Sequence, residues 1–191
     1  MKKPSGYNEI KTERLLLRTP LIGDAAFVRE FGSDEFKTKR DARKWIRRVH
    51  KITERRKMCY MYYIWLAGTD QCIGRVYLHN KPEINYELEI GYGIKEEHRC
   101  RGYATEAARA LVRFAFEQAG KDMVVAIVKP ENVCSQGVIR KLGFTQYGTR
   151  MVPDEHGVIC EFDYFRLQNP QNEQAPAKCV PQLKDGTTIQ K

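Results

Sequence analysis

Glu89-Ile-Gly-Tyr-Gly-Ile-Lys-Glu-Glu-His-Arg-Cys-Arg-Gly-Tyr-Ala-Thr-Glu-Ala107 changes its hydrophobic period halfway along, and that change sets the architecture. Leading into it, from Tyr86 to Tyr92, the large apolar residues Tyr86, Leu88, Ile90 and Tyr92 alternate with Glu87, Glu89 and Gly91, the period of two that marks a strand. From Tyr103 onward Ala104, Ala107, Ala108, Leu111 and Ala115 fall on one helical face, and Gly120 supplies a stop. Between the two lies Arg99-Cys-Arg-Gly-Tyr-Ala104. A helix start leaves backbone N–H groups unpaired and carries partial positive charge, so it holds anions. Gly102 lets backbone approach a ligand closely, while Arg99 and Arg101 add formal charge. A pyrophosphate suits such a turn. No Gly-Lys-Ser/Thr follows, so it is not a Walker loop, and the G-x-G-x-x-G of a dinucleotide fold is absent.

Outward from this stretch, residues 14–20 read as a short strand that Pro20 stops, and residues 21–31 as a helix followed by a break at Gly32-Ser-Asp-Glu. A second helix is expected over 40–56, where Ala42, Trp45, Ile46, Val49 and Ile52 recur at intervals of three and four. Its other faces carry Arg43, Lys44, Arg47, Arg48 and Lys51 among further basic residues. Residues 59–67 and 72–79 form a hairpin around Gly68-Thr-Asp-Gln71. Past the central unit, 122–128 is a continuous apolar run suited to a strand buried on both faces. A short helix follows over 130–142, then a strand pair over 144–152 and 158–167. The order is β-α-α-β-β-β-α-β-α-β-β. It predicts a mixed α/β fold with one strongly twisted sheet and helices on both faces. The strands flanking the central helix should run parallel through a right-handed crossover. Residues 1–168 make one domain, and the polar tail 169–191 is expected to be disordered.

The 191 residues combine 42% hydrophobic with 30% charged content, the balance of a globular chain with a sizeable core. The first residues have no apolar core for a secretory signal, and no run reaches a membrane span, so a membrane role is not expected. Six cysteines without a C-x-x-C pair speak against a disulfide framework or zinc site and for a reducing cytoplasm; no metal is expected. A net charge of +9 implies an anionic partner: a cofactor, an acidic substrate or a polyanion. Nucleic acid itself is disfavoured, since no aromatic residues interleave the basic helix and no base-reading motif occurs.

Arg99-x-x-Gly102-x-Ala104 resembles the coenzyme A loop of GNAT-family N-acetyltransferases. Asn132-x-x-Ser135-x-x-Val138-x-x-Lys141-Leu-Gly-Phe144 resembles a signature of the branch that includes ribosomal-protein-alanine N-acetyltransferases. Thr12-Glu-Arg-Leu-Leu-Leu-Arg18 is similar to that branch's first strand, and Glu89-Ile-Gly-Tyr92 to its fourth. These matches run in order from residue 12 to 144. The resemblance implies a GNAT fold and acetyl transfer from acetyl-coenzyme A to a primary amine, by direct attack in a ternary complex. The acceptor would be a protein N-terminus or small molecule; the positive charge and the basic helix, apart from the resemblance, point to one that is acidic or carried on a polyanionic partner. The pantetheine arm would lie between splayed strands, against Tyr92 and Ile94, with Asn132 reaching toward it; the pyrophosphate would meet Arg99, Cys100, Arg101, Gly102, Tyr103, Ala104 and Thr105. A non-catalytic acyl-coenzyme A-binding domain is the alternative, and a homodimer is compatible with the chain.

Acetylation needs a neutral amine. At pH 7 deprotonation costs about 1.4 kcal/mol for an α-amine and about 4.6 kcal/mol for a lysine-like amine. Glu89 is the candidate general base, on a polar strand face and at a position where the family uses a carboxylate; Glu87 shares the face and is the rival. The family's usual tyrosine acid falls at Ile139 here, a departure, and the resemblance offers Ser135 instead. Cys100 stands where the family often has glycine. Asn132 also reads as a helix N-cap.

Overall fold

The computed structural model describes residues 9–31, 36–56, 59–154 and 156–171. The expected break at 32–35 and the tail from 172 onward lie outside the described residues. Among the described residues eight strands and four α-helices follow in the order β1 (Glu9–Lys11), β2 (Leu15–Arg18), α1 (Ala25–Phe31), α2 (Lys39–Arg56), β3 (Cys59–Leu66), β4 (Cys72–Lys81), β5 (Glu87–Ile94), α3 (Tyr103–Glu117), β6 (Met123–Val128), α4 (Val133–Lys141), β7 (Thr145–Pro153) and β8 (Ile159–Gln168). They form one sheet in the order β1-β2-β3-β4-β5-β6-β8-β7. Only β5 and β6 pair in parallel, across the α3 crossover, as the period change at Tyr103 predicts.

Both faces of the sheet are covered. On one, Ala107, Leu111 and Ala115 of α3 and Ile139 of α4 pack onto Leu78, Ile90, Val124, Ala126 and Phe165. On the other, Val28 of α1 and Ala42 and Ile46 of α2 cover Tyr63 and Trp65 of β3, with Phe27 edge-on to Trp65 at 5.1 Å. A third cluster, Ile84, Val125, Val152, Phe162 and Tyr164, fills that same face beside β8. Each such large side chain contributes about 1.5–3 kcal/mol by leaving water, which is what fixes α1 and α2 on the sheet.

Two expectations need correction. The chain has an added strand, β1, whose three residues are too few to show a period; it pairs with β2 through Glu9↔Arg18, Ile10↔Leu17 and Lys11↔Leu16. Tyr86 does not open the central strand. It is 64% exposed with φ +58, and Asn85 before it has φ +59. A turn holds both left-handed residues: the Tyr86 N–H donates to the Lys81 carbonyl at 2.9 Å, and Asn80 Nδ2 donates to the Tyr86 carbonyl at 2.6 Å. The alternation was real, but its first aromatic belongs to the turn.

Candidate active site

Along β5 every residue from Glu87 to Ile94 is in register with β4, yet β5 meets β6 at one pair alone, Glu89 with Val125. Toward Tyr92 and Val128 the two strands part. The gap holds a slot of about 170 Å³, lined on one side by Tyr77, Glu89 and Gly91 and on the other by Tyr92, Ser135 and Ile139. It opens into a larger cleft of about 790 Å³ between the starts of α3 and α4, with Tyr92 and Ser135 common to both cavities.

The cleft gathers the residues singled out for the cofactor: Tyr92, Ile94, Arg99, Cys100, Gly102, Tyr103, Ala104, Thr105 and Asn132 all line it. Arg101 does not; its carbonyl accepts a hydrogen bond from Arg14 Nη1 at 3.0 Å, so it serves the loop's shape. Gly102 sits at the N-cap of α3 with φ +81, and with no side chain there the first N–H groups of the helix face the cleft uncapped. Cys100 is exposed and also left-handed, at φ +59. Arg99 Nε donates to the Ile94 carbonyl at 3.1 Å, tying the loop to the end of β5. Asn132 is the N-cap of α4, its Oδ1 accepting from the Ser135 N–H at 3.0 Å, and it lines the cleft as well.

Glu89 is not a solvent-facing carboxylate. It is 8% exposed, with Oε2 2.7 Å from His79 Nε2 and 3.8 Å from Lys81 Nζ. Glu87 is tied into β8, accepting from the Tyr164 hydroxyl at 2.5 Å and lying 3.5 Å from Arg166 Nη2, and it does not line the slot. Glu87 thus stays outside the slot lining, bonded to β8. Across the gap, Tyr92 Oη is 2.9 Å from Ser135 Oγ. Burial pushes the Tyr92 phenol above its ordinary value, partly offset by its bond to Ser135. Ile139 is fully buried and brings no polar atom.

His79 and Tyr77 escaped the sequence reading. Their alternation along β4 was visible, but which face they share with Glu89 depends on the β4–β5 register, set by the left-handed turn at Asn85 and Tyr86. In that register Tyr77, His79 and Lys81 stand opposite Gly91, Glu89 and Glu87. The Tyr77 ring lies so close over Gly91 that a Cβ there would overlap its far end, so any side chain at 91 would require the ring to move.

A carboxylate at one end of a slot with an imidazole bonded to it from outside the lining, a hydroxyl pair at the other end, and an anion-ready helix start beyond define a group-transfer site built around a strand gap. The family model described as Acetyltransferase (GNAT) domain matches residues 14–145, and the chain belongs to that family. It is an N-acetyltransferase enzyme, and transfer from acetyl-coenzyme A is general to the family. It is 28% identical over 174 residues to Uncharacterized N-acetyltransferase YnaD of Bacillus subtilis, covering 85% of this chain and 99% of that one. With Probable N-acetyltransferase YjcK of the same organism it shares 31% identity over 144 residues, covering 74% and 79%. A solved ribosomal L7/L12 α-N-protein acetyltransferase in complex with coenzyme A has the same fold, with TM-score 0.72 at 16% identity, covering 84% and 98%. Among the described residues no helix is long and apolar enough to cross a membrane.

Proposed function

We propose that this enzyme transfers an acetyl group from acetyl-coenzyme A to a primary amine, a protein N-terminus or small molecule, by direct attack in a ternary complex. The observation that carries the reading is the slot between β5 and β6, with Glu89 at one end and the Tyr92–Ser135 pair at the other. The cleft fits the co-substrate: uncapped N–H groups of Tyr103, Ala104 and Thr105, with Arg99 and Lys141 beside them, suit a pyrophosphate. Tyr92 and Ile94 line the path from there to the slot, and Asn132 borders it.

Glu89 is the carboxylate on which deprotonation of the amine depends, since it is the one acid lining the slot. Ser135 stands ready to protonate the departing thiolate, a step that matters little because a thiol of pKa about 8.5 costs at most about 2 kcal/mol to leave ionised near neutrality. Direct attack is favoured over a covalent enzyme intermediate. The slot-lining residues include no cysteine, and the Ser135 hydroxyl is engaged with Tyr92, not with a base.

The basic face of α2 fits an acceptor that is acidic or carried on a polyanion. Cysteine usage and charge fit a cytoplasmic setting.

The test is an acetyl-transfer screen read by mass. Acetyl-coenzyme A is offered with peptides of different first residues, free amino acids, polyamines and aminoglycosides. Acetylation of one class with stoichiometric thiol release is the expected result. Binding of acetyl-coenzyme A with no transfer to any amine would leave a non-catalytic binding domain.

A further inference from the structure

We propose that the base of this enzyme is a dyad in which His79 takes the acceptor's proton and Glu89 orients and neutralises it. The proposal rests on the reading of Glu89 as the carboxylate that deprotonation depends on, and says where the proton goes.

The two residues are direct cross-strand partners, so their side chains leave the sheet together. Glu89 Oε2 and His79 Nε2 are 2.7 Å apart, a distance at which two lone pairs cannot face each other. One proton lies between them. With a neutral ring it sits on Nε2 and is donated to the carboxylate, which leaves the Nδ1 lone pair free. The exposures divide the labour: the Glu89 side chain keeps 11% of its surface and His79 38%, so the carboxylate is sealed behind the ring and the ring meets solvent. His79 also stands 5.3 Å from the Tyr77 ring, so it adjoins two slot-lining residues on the side away from the cofactor cleft. A buried carboxylate that fixes the tautomer of a half-exposed imidazole is how serine hydrolases make histidine a base.

The charged surroundings fit this arrangement. Lys81, next but one on β4, lies 3.8 Å from the same Glu89 oxygen. Glu87 on β5 is occupied by Tyr164 and Arg166 of β8. From β6 the partner is the apolar Val125, and from β3 Cys59 pairs with His79 through its backbone.

In the reaction an ammonium N–H bond breaks and an N–H bond forms at Nδ1, giving imidazolium against carboxylate. The amine lone pair then forms the C–N bond to the thioester carbonyl carbon. The C–S bond breaks with its electrons on sulfur. A second amine proton ends on that sulfur, so the products are amide, thiol and one proton that His79 returns to water.

Two measurements on the full chain test this. The first, nitrogen-15 NMR of the His79 ring, needs no acceptor: neutral parent should show the Nε2–H tautomer, and E89Q a mixture. An Nδ1–H tautomer in the parent overturns the dyad. The second uses acetyl-coenzyme A and the best amine from the acceptor screen. H79A should lose about 10²–10⁴-fold in kcat with its acetyl-coenzyme A KM unchanged, and free imidazole should restore kcat saturably. H79Q keeps a donor to Glu89 but cannot accept the proton, so it should be as slow as H79A; it also carries the test should H79A not fold. If H79Q works like the parent, His79 merely holds the carboxylate. If E89Q is slow while both His79 variants are parent-like, the dyad fails and the carboxylate reading survives. If E89Q is parent-like, the carboxylate reading itself fails.

Discussion

Glu106, on the first turn of α3, takes hydrogen bonds from the Thr12 hydroxyl at 2.6 Å, the Arg14 N–H at 3.0 Å and Arg14 Nε at 2.7 Å. Arg14 also stacks 4.7 Å above Tyr103 and holds the Arg101 carbonyl. The turn before β2 therefore fastens the anion-ready loop from behind. Burial alone would raise the Glu106 carboxyl, but the bonds from Thr12 and Arg14 outweigh it and hold it below its ordinary value of 4.5. A carboxyl depressed in the folded state stabilises it above the ordinary value, and that contribution disappears as pH falls through the lower one. E106Q should therefore flatten the dependence of urea-unfolding free energy on pH below about pH 5. An unchanged slope would mean the cluster contributes nothing. Gly102 gives a second test. Any L side chain at φ +81 costs about 1–2 kcal/mol, and G102E adds a carboxylate where phosphate is expected. Calorimetry should then find coenzyme A affinity lost with the circular dichroism unchanged; parent-like affinity would sink the loop's assignment. At this scale local pattern singled out Gly102, and pattern together with the family resemblance singled out Glu89. It could not disclose Arg14–Glu106 or His79–Glu89, pairs made by register and crossover across many residues.

Among the elements, α2 was legible because its apolar stripe is regular. Ala42, Ile46 and Val49 are buried as their spacing requires, and Arg43, Lys44, Arg47, Arg48 and Lys51 are all exposed. What that basic face does was not legible, since a solvated surface and a docking surface look alike in sequence. Salt separates them. Steering by exposed charges fades as the Debye length shrinks from about 10 Å at 0.1 M to about 3 Å at 1 M. Replacing Arg43, Lys44, Arg47 and Arg48 with Gln or Ser should raise the acceptor KM and flatten its salt dependence, leaving the acetyl-coenzyme A KM in place. Identical salt responses in parent and variant would make α2 a solubilising surface only. α4, expected over 130–142, runs from Val133 to Lys141 behind its cap Asn132, whose side-chain Oδ1 accepts from the Ser135 N–H. β1 escaped because three residues hold no period, and Tyr86 was assigned to a strand because a left-handed turn leaves no mark on alternation.

For the molecule as a whole, the layer order followed from the sequence because α2, α3 and the central strand each kept a clear period and 122–128 is a continuous apolar run. The strand gap did not follow; only the family resemblance implied it, since parting strands are a property of a pair. That gap has a mechanical side. In backbone hydrogen bonding, β1 to β5 are laced by antiparallel ladders, as is β6 with β8 and β7, and the two halves share one backbone pair; side chains bridge them through Tyr92–Ser135, through Glu87 with Tyr164 and Arg166, and through the apolar core. The molecule is therefore two stiff plates on a narrow seam. Amides of β5 and β6 that face the seam should exchange with deuterium quickly although they lie mid-sheet, where protection is ordinarily greatest. A ligand seated in the seam would rivet the plates together, so coenzyme A should slow exchange on both sides of it at once and leave the edge strands β1 and β7 unaltered.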